Sequence, residues 1–323
     1  MSEPRGMAQA ERALGERERA IWSFFEVYKT AGKGRATARP DMGTFLHVNE
    51  ETRQKDQQLL AFKKNRPALR EQRESGPDAF AFENYLTTQA GKYCWFGGEL
   101  SPTTEFDDWI SGADAVVEWP GDGEPIRLAI DFTSTQDANI LSRKSDKLEG
   151  NVKLKYLRSK VEEEDGRPRE LRASMPIVLL GFDESVYRAI AQSEVSPPEE
   201  LHPLRRLLVE QAASQVDFQL KLLSEKVFES PRARRAKNLM SVREKYFTLS
   251  DKSSAEQVRD FFLRLEPSEI DALLNEKMKI RLRDLIRLKD RLAVELQRSQ
   301  GIALDGGWQE VANQSKTHQM LSG

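Results

Sequence analysis

Cysteine and histidine are almost missing from this chain. Its 323 residues include one cysteine, Cys94, and three histidines, His47, His202 and His318. A single thiol cannot build a disulfide framework within the chain, and the set is too small for a Cys/His zinc site. Cys94 stands beside Trp95 with no histidine near it in sequence, so it reads as a packed core residue rather than a nucleophile. Long apolar runs are missing too. No stretch approaches 18 apolar residues, so no membrane span and no membrane partner is expected. The first thirty residues are charged throughout and lack the apolar centre of a signal peptide, and the scarce cysteine suits a reducing, cytoplasmic location. No repeat of fixed period is visible. Charge of one sign is not in excess: 50 basic residues face 52 acidic ones, a net charge of −2, so any affinity for polyanions has to come from local basic stretches.

Charge of both signs is abundant at 32%, against 38% hydrophobic residues. That balance suggests long, solvated helices, while five Trp and fifteen Phe suffice for a core. The length suits one compact core domain with helical extensions. Residues 1–77 read as an N-terminal helical extension. It has a helix over 8–31 (Ile21, Phe24, Phe25 and Tyr28 at helical spacing), an irregular stretch over 35–49 and a polar helix over 50–74. Gly76-Pro77 breaks the pattern, and Asp78 is the expected N-cap of a helix bearing Phe82, Tyr85 and Leu86.

Residues 78–198 form the expected α/β core. Ala113–Trp119 and Ile126–Thr133 are β-type runs joined by the turn Pro120-Gly121-Asp122-Gly123, a strong hairpin signal. A helix is expected over 138–162. The apolar run 175–182 suits a strand covered on both faces, and Asp183 caps a helix through Gln192. Residues 199–300 read as helices at 201–228, 231–247, 254–265 and 267–299, with Leu285, Leu288 and Leu292 expected to be buried or, if exposed, to mark a partner surface. Residues 301–323 read as a flexible tail anchored at Trp308. The basic run Arg232–Lys237 could meet phosphates, but Glu225 and Glu229 nearby favour the wet face of a helix.

Strand side chains alternate between faces. In the second run Ile126, Leu128, Ile130 and Phe132 share one face, leaving Arg127, Ala129, Asp131 and Thr133 on the other. In the first run Asp114 and Glu118 share a face, Glu118 being expected to lie exposed. If the runs pair, Asp114 and Asp131 converge. Two close carboxylates need a cation or a shared proton, and Mg²⁺ is often held by one or two carboxylates plus water and phosphate oxygens.

These residues resemble the PD-(D/E)XK nuclease superfamily over about 78–195. Ala113-Asp114 is similar to its "PD" element and Asp131-Phe132-Thr133 to its "(D/E)XK" element, and the element order is similar to the family's αβββαβ core. The resemblance implies a restriction-endonuclease-like small mixed sheet with flanking helices, here with N- and C-terminal helical extensions. It implies a metal-dependent nuclease that holds Mg²⁺ or Mn²⁺ on Asp114 and Asp131, with Glu83 in the place of the acidic residue many members carry on the first helix. Two positions depart from the pattern: Ala113 replaces the proline and Thr133 the catalytic lysine. Some members take that lysine from the following helix. On a helix with Leu141, Leu148 and Val152 as its stripe, Lys144 lies beside the stripe, Arg143 and Lys147 point further away, and Lys155 is the second choice. The Asp107-Asp108 pair has no role in the pattern. The expected partner is nucleic acid. The alternative is a non-catalytic protein of the same fold that binds a protein partner, or itself, through its C-terminal helices.

Overall fold

The computed structural model describes residues 39–66, 77–133, 144–164, 167–182, 185–186, 189, 202–230, 254–304, 308–309 and 311–313. The expected helices over 8–31 and 231–247, the basic run Arg232–Lys237 and nearly all of the helix expected after Asp183 lie outside them.

The architecture is mixed α/β, a small five-stranded sheet flanked by helices. Helix α1 spans Glu50–Lys64 and is capped by the Asn49 side chain, which accepts from Thr52 N. Helix α2 spans Pro77–Lys92, beginning one residue before Asp78 with proline in the first turn. Strand β1, Glu99–Pro102, is one that hydropathy did not reveal. Helix α3, Glu105–Ser111, starts at the Thr104 cap and stops at Gly112, whose φ of 65° suits glycine. Strands β2, Ala115–Trp119, and β3, Ile126–Thr133, form the expected antiparallel hairpin, with Ala115 opposite Ile130 and Trp119 opposite Ile126.

The helix expected over 138–162 is overturned. A 3-10 turn occupies Asp146–Glu149, Gly150 is extended, and strand β4 runs from Asn151 to Glu164. The physical reason is a period of two: Val152, Leu154 and Tyr156 are buried, while Lys153 is exposed and Lys155 half-buried. Strand β5, Arg167–Gly181, turns back antiparallel to β4 and then pairs parallel to β3, with Asp131 opposite Leu179. The sheet order is β1-β2-β3-β5-β4.

Helix α4, Pro203–Glu229, runs alongside β5. Helices α5, Ala255–Leu263, α6, Pro267–Leu273, and α7, Glu276–Ser299, follow. The single helix expected over 267–299 is thus two. Leu274 is extended and the Asn275 side chain accepts from Met278 N, restarting the helix.

One sheet face, with Val117, Leu128, Ile130, Val178 and Leu180, packs against α2, α4, α5 and α7. Leu285, Leu288 and Leu292 are fully buried there, so they are not a partner surface. The other face, with Val116, Ala129, Ile177 and Leu179, is covered by Leu148, Val152 and Leu154. A third cluster joins Phe45, Leu60, Phe106 and Tyr156.

Beyond Pro176, β4 no longer covers the outer edge of β5. Unpaired buried amides are costly, and α4 supplies their partners from three glutamines one turn apart. Gln219 Nε2 donates to Ile177 O at 2.7 Å. Gln215 accepts from Leu179 N at 2.7 Å and donates to Leu179 O at 2.5 Å. Gln211 accepts from Gly181 N at 3.1 Å and donates to Gly181 O at 2.9 Å. The side chains stand in for a neighbouring strand and fix α4 in register with β5.

Candidate functional site

The ends of β2 and β3 bring Asp114 and Asp131 to one surface of the sheet. Asp114 continues β2 in strand-like pairing: its N–H donates to Ile130 O at 2.7 Å and its carbonyl accepts from Thr103 N at 2.9 Å. Its carboxylate Oδ2 then accepts from Phe132 N at 2.7 Å. Asp114 is 6% exposed and Asp131 4%. Burial drives the Asp114 carboxyl well above the usual range, with further upward pushes from Glu83, Asp108 and Asp131 and a downward pull from Lys144.

Two lysines reach Asp131. Lys144 Nζ donates to Oδ1 at 2.6 Å, and Lys147 Nζ to Oδ2 at 2.9 Å. Burial alone would lower the Lys144 pKa, but Asp131, then Asp114 and Asp108, raise it above its ordinary value, so this ammonium is charged at neutral pH. Lys147 also approaches Gly112 O at 3.3 Å. A β-carbon on Gly112 would sit 2.0 Å from Lys147 Nζ, so the glycine that ends α3 also clears the path of this lysine.

On the other side Arg39 gathers the remaining acids. It donates to Asp108 Oδ2 at 2.7 Å, pairs closely with Glu83, and lies 3.7 Å from Asp114 Oδ1. The cluster therefore holds four carboxylates against three cationic side chains, a formal surplus of one negative charge.

All four residues singled out from sequence, Glu83, Asp114, Asp131 and Lys144, come together. The wheel that chose Lys144 over Lys147 is corrected, because the continuous helix it assumed does not exist and both lysines reach Asp131. Lys155, the second choice, lies on β4 and pairs with Asp56 at 2.5 Å. Glu118 is fully buried rather than exposed. It accepts from Arg127 Nε at 2.8 Å, Ser159 Oγ at 3.0 Å and Lys160 N at 2.8 Å, tying β4 across the sheet face. Cys94 is exposed, in a turn with φ of 47°, and not in the core. Asp107 clasps β4 by accepting from Lys155 N at 2.8 Å and Tyr156 N at 2.9 Å. Arg39, Asp108 and Lys147 were not found from sequence. Asp108 was noticed only as part of the Asp107-Asp108 pair, with no role in the pattern.

Among the described residues no group of three or more His, Cys, Asp or Glu side chains is arranged to hold a metal ion. A cation here would be held by Asp114 and Asp131 alone, completing its shell with water or phosphate oxygens, a donor set that suits Mg²⁺ better than a protein-only cage. The formal surplus of one negative charge in the cluster fits such an ion. Both oxygens of Asp131 already accept from lysine, so an ion would share an oxygen with a lysine or displace it.

A groove of about 700 Å³ lies at the far end of β2 and β3, between their turn and α7. Its arginines are engaged with that turn: Arg283 with Glu124 Oε2 at 2.9 Å, Arg287 with Glu124 O at 2.7 Å and Arg291 with Pro120 O at 3.2 Å. They strap the hairpin to α7 and are remote from the carboxylates.

No helix among the described residues is long and apolar enough to cross a membrane. Comparison with protein-family models, with curated proteins and with solved structures returns no match.

Proposed function

We propose that this chain is a metal-dependent nuclease that hydrolyses phosphodiester bonds in nucleic acid, built on a restriction-endonuclease-like core of α2, β1, β2, β3 and β5. The observation that carries the reading is Lys144 Nζ at 2.6 Å from Asp131, beside Asp114, while position 133 is threonine. The ammonium missing from the strand is supplied by the segment after it. Asp114 and Asp131 would hold Mg²⁺ or Mn²⁺, which when bound lowers the pKa of a water and neutralises charge on the scissile phosphate. Lys144, charged and oriented by Asp131, would steady the attacking water or the developing negative charge. Glu83 and Asp108 keep Arg39 beside Asp114, where its guanidinium can meet a phosphate oxygen.

The test is cleavage of labelled DNA and RNA by purified protein with Mg²⁺ or Mn²⁺, with EDTA as the control. Asp131→Asn keeps the circular dichroism spectrum and loses cleavage. Lys144→Met lowers the rate about 100-fold or more. Lys147→Met has the smaller effect, because Lys147 is shared with the Gly112 carbonyl and lies at the edge of the cluster. Cleavage that survives Asp131→Asn belongs to another site or another protein.

A second reading is the non-catalytic one, favoured by the lysines on both oxygens of Asp131: the cluster would then be a lock between the turn and the sheet. Under that reading neither Mg²⁺ nor Mn²⁺ raises the melting temperature.

A further inference from the structure

Helix α7 carries a guanidinium on its buried face. Arg281 is 7% exposed and flanks the buried Leu282. Its Nη2 donates to Leu148 O at 2.6 Å and to Gln219 Oε1 at 3.1 Å. Its Nε and Nη1 are buried with no acceptor among the described residues. Burial pushes its pKa down to about 10, so it still carries its charge at neutral pH; Glu149 acts against this only in part. The Glu149 carboxylate is itself paired at the surface with Lys226, at 2.5 Å. An unmet buried donor is costly, and more so on a charged group. An apolar residue would serve the packing of α7 without that cost, so the contacts Arg281 does make call for a reason.

Those two contacts lead to the two parts that build the candidate site. Leu148 belongs to the 3-10 turn Asp146–Glu149, which contains Lys147 and directly follows Lys144 and Ser145. Such turns are short and weakly held, and their terminal carbonyls lack partners within the turn. Gln219, the other acceptor, donates to Ile177 O on β5. Ile177 is paired with Ala129 on β3, two residues before Asp131. One guanidinium thus ties the lysine-bearing turn to the strand pair that bears the carboxylate.

We propose that Arg281 is a positioning residue: by holding the Leu148 carbonyl against Gln219, helix α7 keeps Lys144 and Lys147 on Asp131, a role that rests on the nuclease reading of the same cluster. The C-terminal helices are then part of the site's working geometry and not an appended arm.

The experiment is trace acetylation of the full-length protein at pH 8, read lysine by lysine by mass spectrometry. Exposed Lys55 serves as the reference and Lys155, paired with Asp56, as a control for general loosening. In Arg281→Met the turn drifts from Asp131 and the amines become more reactive. An amine released from Asp131 loses that hydrogen bond and is open to the reagent. Labelling of Lys144 and Lys147 relative to Lys55 rises severalfold while Lys155 is unchanged. A folded Arg281→Met protein with the wild-type ratios at both lysines overturns the proposal, as does an equal rise at Lys155. If Arg281→Met does not fold, Arg281→Gln, which keeps an amide but shortens the reach, is judged by the same ratios. Labelling does not depend on turnover, so it decides the matter even if the wild type cuts nothing. If it does cut, the variant loses kcat with KM for the substrate unchanged.

Discussion

His202 is enclosed between two indoles, stacked on Trp95 at 5.4 Å and edge-on to Trp308 at 5.3 Å. Its Nδ1 accepts from Leu204 N at 3.2 Å, capping α4. Burial pulls its pKa down to about 4 from 6.5. Between these values the unfolded chain takes up a proton that the folded chain refuses. The stability contributed by neutral His202 is therefore complete above about pH 6.5 and lost as pH falls towards 4. Urea unfolding at pH 7.5 and pH 5 measures it: the wild type loses about 2 kcal/mol more between those points than His202→Asn does. Asn keeps a capping oxygen but has no titration in that range. Parallel losses in the two proteins mean that His202 is already accessible to protons. Of the candidate site's residues, Asp131 was legible in sequence because a carboxylate inside Leu-Ala-Ile-Asp-Phe breaks an apolar run, and Asp114 because strand alternation places it on the same face. Arg39, Asp108 and Lys147 arrive from three separate segments, and no local period connects them.

At the scale of elements, the hairpin β2–β3 was readable because its turn and its alternation agree. β4 was misassigned because a lysine-rich segment flanked by helical signals fits a helix in composition, although Val152, Leu154 and Tyr156 carry the period of two. The contact between α4 and β5 was not legible as such: Gln211, Gln215 and Gln219 are spaced one turn apart, but nothing in the helix says that a strand edge is their partner. That contact makes a quantitative prediction. Gln215→Leu fills the same space yet leaves the Leu179 N–H and C=O without partners. At about 1–3 kcal/mol for each buried unpaired group, the loss is about 2–6 kcal/mol. Gln211→Leu costs less, because Gly181 is only half-buried. The urea midpoint reports both at constant slope. Equal, small losses mean that water reaches the β5 edge and replaces the glutamines.

For the whole molecule, the sequence suggests a core over 78–198 with helices appended, and one apolar cluster runs through both parts. The largest apolar cluster draws Leu86 from α2, Val117, Leu128 and Val178 from the sheet, Leu208 and Val216 from α4, Phe262 from α5, and Leu285 and Leu288 from α7. Removing residues 199–323 exposes one whole face of the sheet and also strips the β5 edge of its glutamine partners. A small sheet with one uncovered apolar face and an open edge is a template for association, not a domain. The fragment 1–198 is therefore expected to be aggregated or to lack a cooperative transition, whereas the full chain unfolds in one step when followed by far-ultraviolet circular dichroism and by tryptophan fluorescence together. Trp119 on β2 and Trp308 beyond α7 place the fluorescence signal on both sides of the supposed boundary. Two separate transitions in the full chain, or a monomeric fragment that melts cooperatively, would show that the helices only decorate the sheet.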